Sequence, residues 1–300
     1  MDKIITILGP TASGKTKLAI RLAKKFNGEI INADSRTIYK ELDIGTDKPP
    51  KDKKQRRYLV NGVLHHLIDF LEPDKTFSIA EYQKFARQKI REIQERGKIP
   101  FLIGGSPLYV EAVIYNYKIP HVAPDLKLRK KLEKESLEKL VSRLDKLDPY
   151  ALENVDLKNK RRVIRALEIL IKSGSSIDKN ISKKLPKNIL VLGIKTDREK
   201  LYKKINKRVD MMIKNGLADE AKRLYKKYGK NTPALSGIGY RELVPYFKKE
   251  ITLKEAEELI KRDSRRFAKR QLTWFKRDKN IKWVSNKKQA EREIKIFLKQ

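Results

Sequence analysis

Near the N-terminus, Gly9-Pro10-Thr11-Ala12-Ser13-Gly14-Lys15-Thr16 follows the pattern G-x-x-x-x-G-K-[ST]. Residue types in this order do phosphate chemistry. The glycines let the backbone turn its N–H groups toward an anion. A lysine ammonium sits on a terminal phosphate, and a threonine hydroxyl meets the Mg²⁺ that accompanies it. The pattern is shared by ATP-binding loops, so the loop announces a phosphorylated ligand without saying whether it is a nucleotide. A second candidate is Asp34, which follows the apolar run 29–33. Ligands of α/β sheets lie beyond the carboxyl ends of the strands, which puts Asp34 beside the phosphate loop. There it could be a base or metal ligand, or it could be a helix cap or a partner of the ion's hydration shell.

The flanking elements are the ones such a loop requires. Residues 4–8 are continuously apolar and read as a short buried strand, and residues 17–26 alternate as an amphipathic helix. A strand, a glycine turn and a helix start aim backbone N–H groups at one point. Residues 29–33 read as a second strand and 36–42 as a short helix. Residues 43–50 form a turn-rich loop. His65 and His66 are adjacent in an extended segment, so they point to opposite faces and make poor joint metal ligands. They are expected to be structural or to position a substrate. Ser78 and Glu81 form a capping box for a helix that runs to about residue 96 and ends at Gly97. The strand 99–103 then ends in Gly104-Gly105-Ser106. A P-loop ATPase usually places an aspartate there to hold Mg²⁺ and its water. Small residues instead leave room for a substrate close to the backbone, which argues against a motor ATPase and for a transferase.

The chain has 300 residues, with 72 Lys+Arg against 38 Asp+Glu, a formal charge of +34. Such an excess favours polyanions, nucleic acids first. The absence of Cys excludes disulfides and thiolate metal sites. The first strand begins directly after residue 3, no signal peptide is evident, and no apolar run is long enough to span a bilayer. A cytoplasmic location without membrane association is expected, and a monomer is the default.

From about residue 120 the texture becomes helical and highly charged. Residues 125–144 read as one helix, 148–154 as a short one, and 159–171 as another, closed by the loop 173–176. In the last helix Ile164, Leu167 and Ile171 supply the buried face, leaving Arg161, Arg162 and Arg165 free for phosphates. Residues 189–194 return to the sheet as a strand. Residues 198–215 form a long helix carrying Arg208, and 219–228 the next. Residues 236–243 are a glycine-containing turn into a helix. Thr252 caps a helix running to about 277, rich in Lys and Arg and ending in Thr273-Trp274-Phe275. Basic residues followed by aromatics suit a nucleic-acid surface, although at least one of Trp274 and Phe275 is expected in the core. A strand at 281–284 and a helix at 287–298 complete the chain.

Several separated stretches together resemble the tRNA dimethylallyltransferase (tRNA isopentenyltransferase) family. They are GPTASGKT at 9–16, NADSRTIYKELDIGTDKP at 32–49, HHLID at 65–69, LIGGSPLY at 102–109, RRVIRALEI at 161–169, SGIGYREL at 236–243 and AKRQLTWFKRD at 268–278. Each is weak alone; their order along nearly the whole chain is specific. The resemblance implies an α/β fold: a P-loop NTPase-like parallel sheet flanked by helices, with a catalytic core of residues 1–119 and 187–300 and a helical insertion, 120–186, contacting tRNA. It also implies an Mg²⁺-dependent transfer of a dimethylallyl group from dimethylallyl diphosphate to the adenosine 3′ of the anticodon. The partner is then the tRNA anticodon stem-loop. Without Cys, the zinc finger of eukaryotic members is not expected, so the match is to the bacterial form.

Carried over residue by residue, the resemblance makes Asp34 the general base. Residues 9–16 cradle the diphosphate, with Lys15 neutralising charge and Thr16 on the metal. Arg208 helps the diphosphate depart. Ser106 stands where the family often has Thr and keeps the hydroxyl. Asp34, Ser35, Arg36, Thr37 and Ser106 line the adenine and its neighbours, Arg36 replacing a smaller residue. Arg129, Arg161, Arg162 and Arg165 contact tRNA. Three other readings compete: a small-molecule kinase using ATP on the same core; a prenyltransferase of free AMP, against which the insertion and the charge argue; and a non-catalytic RNA-binding protein, which would leave the phosphate loop and Asp34 unexplained.

Overall fold

The computed structural model describes residues 2–120, 122–174 and 184–300. The chain divides into two compact units, Met1–Ile114 with Leu185–Gln300, and Tyr115–Lys184.

The first unit is an α/β layer structure. In chain order its elements are β1 (Ile4–Leu8), α1 (Lys15–Lys25), β2 (Gly28–Ala33), β3 (Leu59–Val60), β4 (Val63–His66), α2 (Ile79–Glu95), β5 (Ile99–Gly104) and α3 (Pro107–Ile114). The second unit contributes α4 (Leu126–Glu133), α5 (Leu137–Leu147), α6 (Ala151–Asn154) and α7 (Lys160–Ser173). The first unit resumes with β6 (Ile189–Ile194), α8 (Arg198–Lys214), α9 (Leu217–Tyr228), α10 (Val244–Phe247), α11 (Leu253–Phe275), β7 (Lys282–Val284) and α12 (Lys287–Lys299).

The sheet order is β3-β4-β2-β5-β1-β6-β7, parallel throughout except for the β3–β4 pair. Parallel strands covered on both faces are continuously apolar, and β1 and β6 are buried along their whole length. Ile5, Ile7, Phe101, Ile103, Leu190 and Leu192 pack with Ala19, Leu22 and Ala23 of α1 and with Ala290 and Ile294 of α12. The alternate residues Ile31, Leu102 and Val191 face the other way, and α2 contacts β2 and β5. The register sets Leu8 beside Gly104, Ala33 beside Gly104 and Leu8 beside Gly193. The carboxyl ends of four strands therefore share one edge. Gly104 is required there, because a side chain would run into the Ala33 carbonyl at 1.9 Å.

Two expectations for local structure are corrected. Residues 36–42 are a turn and not a helix, because Tyr39 bridges Leu71 and the 36–44 segment is drawn into an apolar cluster with α8, α9 and α11. Residues 125–144 are two helices, since Ser136 accepts a hydrogen bond from the Lys139 amide and caps a second start. Residues 236–243 form the expected glycine-containing turn into a helix, with a 3-10 turn at Arg241–Leu243 leading into α10. Of the loop expected at 173–176, residues 175 and 176 lie outside the described residues. The capping box expected at Ser78–Glu81 is present, and the cap Thr252 completes a second one with Glu255. Among the described residues no helix is long and apolar enough to cross a membrane.

Candidate active site

At the shared strand edge lies a cavity of about 260 Å³ whose lining includes Thr11, Ala12, Gly14, Lys15, Thr16, Asp34, Thr37 and Arg208. The loop between β1 and α1 forms one wall. Gly14 adopts a left-handed φ of 84° at the start of α1 and offers no side-chain cap. The first-turn N–H groups of the helix are thus left for a ligand, and the positive end of its dipole points into the cavity. Gly9, Pro10 and Ser13 are buried behind the loop.

Lys15 reaches the Pro10 carbonyl at 3.4 Å. Burial holds its ammonium below the usual lysine range; Asp34 opposes that shift, Arg208 adds to it and Asp47 opposes it. These four groups, far apart in sequence, thus form one charged cluster. Arg208 comes from α8, whose buried stripe of Leu201, Ile205, Val209 and Met212 fixes the helix and leaves Arg208 at its margin. Its guanidinium lies 3.4 Å from the Asp47 carboxylate, and its Nε is buried with no partner.

Asp34 sits one residue beyond β2. Its Oδ1 accepts the Arg36 amide at 2.9 Å, which fixes the carboxylate in a turn. Asn32 donates to Thr37 Oγ1 at 2.8 Å and to the Leu67 carbonyl at 3.0 Å, setting the turn against the strand behind it. The Ser35 amide donates to Ser106 Oγ at 3.1 Å. Arg36 turns its guanidinium onto the Pro233 and Ala234 carbonyls and Ser236 Oγ. Ser35 and Arg36 therefore lie in the adjoining turn, and Ser106 beside it after β5, outside the cavity lining.

The two histidines do face opposite ways. His66 pairs with Glu29 at 2.7 Å, while His65 lines the cavity and bonds the Val63 carbonyl. Burial pulls His65 down to about 4, so it is neutral near pH 7.

Three residues were not singled out from sequence. Gln271 of α11, 2% exposed, accepts the Thr11 amide at 2.9 Å and donates to the Gly105 carbonyl at 2.6 Å. Glu220 of α9 accepts the amides of Asp43, Ile44 and Gly45 and the Tyr240 hydroxyl, anchoring the loop that presents Asp47. Asp47 itself lay in the turn-rich segment 43–50, inside the recognised stretch 32–49. Gln271 lay inside a recognised stretch, the one signal that could have drawn attention to it.

Among the described residues no group of three or more His, Cys, Asp or Glu could hold a metal unaided. Side-chain oxygens lining the cavity include those of Thr16, Asp34 and Asp47. Hard oxygen ligands completed by substrate phosphates are what Mg²⁺ takes, so the residues fit that ion.

The second unit holds the remaining candidates. Its core is built from Leu132, Leu140, Leu144, Val163 and Leu167. Arg129 and Arg165 both pair with the fully buried Glu168, whose carboxyl is pulled to about 2 by those bonds against the cost of burial. Arg162 pairs with Asp156 at 3.2 Å. Arg161 is exposed and makes no ion pair among the described residues. The face expected to be wholly free is thus partly committed within its own unit. Of the terminal aromatics of α11, Phe275 is buried and Trp274 donates to Glu111 at 2.7 Å.

Residues 37–278 match the profile of the family described as IPP transferase. A tRNA dimethylallyltransferase of Acetivibrio thermocellus is 46% identical, aligned over 99% of this chain and 96% of that protein. One from Carboxydothermus hydrogenoformans is also 46% identical, over 98% and 95%. The solved tRNA isopentenylpyrophosphate transferase of Bacillus halodurans is 40% identical with a TM-score of 0.73, covering 99% of this chain and 96% of its own. A eukaryotic dimethylallyltransferase acting on tRNA has a TM-score of 0.80 at 28% identity, covering 97% and 77%. Matched over most of its length by the family profile and over nearly all of it by these relatives, the chain belongs to the IPP transferase family.

Proposed function

We propose that this chain transfers a dimethylallyl group from dimethylallyl diphosphate to the exocyclic amine of the adenosine immediately 3′ of the anticodon in tRNA. The product is N6-dimethylallyladenosine. The observation that carries this reading is the convergence of the phosphate loop, Lys15, Arg208 and Asp34 on one cavity. Cations and helix amides suit the diphosphate, and a carboxylate beside them suits the acceptor amine.

The amine lone pair is delocalised into the adenine ring, so the nucleophile is weak. Asp34 accepts the proton from that nitrogen as the bond to the donor carbon forms and the carbon–oxygen bond to diphosphate breaks. The Arg36 amide fixes Asp34 Oδ1, and Oδ2 makes no hydrogen bond among the described residues. Lys15 and Arg208 stabilise the negative charge that grows on the leaving group. Thr16, with substrate oxygens, would hold Mg²⁺; when bound, the ion neutralises diphosphate charge. The adenine leaves its stack in the anticodon loop to reach Asp34, at a cost of about a few kcal/mol. Ser35, Arg36, Thr37 and Ser106 flank it, while Arg129, Arg161, Arg162 and Arg165 contact the RNA backbone. The +34 charge supports that partner. The protein acts as a cytoplasmic monomer.

The test is mass spectrometry of an unmodified anticodon stem-loop incubated with protein, Mg²⁺ and dimethylallyl diphosphate. The expected result is a gain of one dimethylallyl group on the adenosine 3′ of the anticodon, reduced about 10²–10⁴-fold by Asp34→Asn with RNA binding retained. No transfer to the stem-loop or to full-length tRNA, with phosphoryl transfer from ATP in its place, would overturn the reading.

A further inference from the structure

Asp47 takes no part in the proton transfer or bond changes above, yet its carboxylate stands among the groups proposed to bind the diphosphate. It lies 3.4 Å from Arg208 and within charge–charge reach of Lys15. It lines the phosphate cavity and also a second cavity of about 520 Å³, with Arg208 and Pro49 common to both. The ion pair therefore sits where the two cavities share a wall. The carboxylate is 61% exposed and Arg208 23%, so the acid is the wet partner and the guanidinium the desolvated one. The position is built. Asp47 holds a left-handed φ of 53°, its amide donates to the Ile44 carbonyl, and Glu220 pins the three residues 43–45 ahead of it.

We propose that Asp47 is a built-in anionic placeholder for the diphosphate: it holds Arg208 in the empty site, yields the guanidinium to the incoming diphosphate, and by like-charge repulsion speeds the departure of the product diphosphate. This rests on the diphosphate reading of the cavity. The charges support it. Without ligand, Lys15 and Arg208 are balanced by Asp34 and Asp47. A diphosphate brings its own negative charge to the same two cations and leaves Asp47 facing an anion. Arg208 Nε, buried and unpartnered, is a donor awaiting an acceptor that Asp47 does not supply. Asp47 is a positioning residue that acts through Arg208, and it exchanges some donor affinity for product release.

The test is calorimetric binding of inorganic diphosphate, with Mg²⁺, to the full-length protein and to Asp47→Asn and Asp47→Gly. Asn and Gly both tolerate a left-handed backbone, so each removes the charge and keeps the turn. Both variants should bind diphosphate about three- to ten-fold more tightly. In multiple-turnover assays KM for the donor and kcat should fall together, as release slows. A residue that merely braced the loop would weaken binding when replaced, so unchanged or weaker affinity in both variants overturns the proposal. Weakening confined to Mg²⁺-containing buffer overturns it too, by making Asp47 a metal ligand. If the unaltered protein binds no diphosphate, the diphosphate reading of the cavity itself is at fault.

Discussion

Replacing Gln271 tests how the phosphate loop is held. Its side chain spans the 260 positions between Thr11 and α11, accepting the Thr11 amide at 2.9 Å and donating to the Gly105 carbonyl at 2.6 Å. Gln271→Leu keeps much of the volume and strands both backbone groups. Each costs about 1–3 kcal/mol if it stays dry. Thr11 borders the cavity and can be rehydrated, so the expected loss is about 2–3 kcal/mol in denaturant unfolding at unchanged m. Diphosphate affinity falls with it, because the loop amides are no longer aimed together. Gln271→Glu separates the two bonds. Its carboxylate still accepts from Thr11 but sets an anionic oxygen against the Gly105 carbonyl. That variant should be at least as unstable as Gln271→Leu near neutral pH, and its deficit relative to the unaltered protein should shrink on acidification, when a protonated Glu can again donate. A Gln271→Glu protein as stable as the original at pH 7, or one indifferent to pH, would refute the account of Gln271 as a two-sided clamp.

Other outcomes follow from the same geometry. Glu220→Gln turns an amide NH₂ toward backbone or hydroxyl donors now served by the carboxylate; it should cost about 2–4 kcal/mol and raise KM for the donor, read by unfolding and steady-state assays together. Glu168→Gln leaves two arginines around a buried neutral group, and hydrogen exchange in α5 and α7 should show about 3–5 kcal/mol of lost protection. Acid should destabilise the fold in two stages. The neutral His65, held at about 4 against an ordinary 6.5, contributes stability above pH 6.5 that is lost as pH falls toward 4. Glu29, held at about 2 against 4.5 by Arg96, His66 and Lys98, contributes stability above pH 4.5 that is lost toward pH 2. His65→Asn should flatten only the upper stage in pH-dependent unfolding curves. Reversing Arg161 and Arg162 to Glu should weaken tRNA binding and reduce its salt slope by about one or two phosphate contacts; an unchanged slope would remove α7 from the RNA interface.

The amino-acid sequence determined the features that rest on neighbours in the chain. The phosphate loop was legible because its glycines, lysine and threonine work with the strand and helix on either side. The capping box at Ser78 and the cap at Thr252 were legible because a cap bonds a residue three positions on. The parallel sheet followed from buried apolar runs alternating with helices. Local pattern failed where a distant partner or a second cap intervened. Residues 36–42 have helical spacing, but packing against α8 and α9 offers them more than a helix would. Residues 125–144 carry apolar residues at helical spacing on both sides of the break, but Ser136 caps a second start between them. Tertiary structure alone brought Asp34, Lys15, Arg208 and Asp47 around one cavity. It alone sent Gln271 to the phosphate loop and Glu220 to the loop of Asp47, and committed Arg129 and Arg165 to Glu168. Charges and hydrogen bonds act through a few ångströms of space, and spacing along the chain records that distance only within a turn or two of helix.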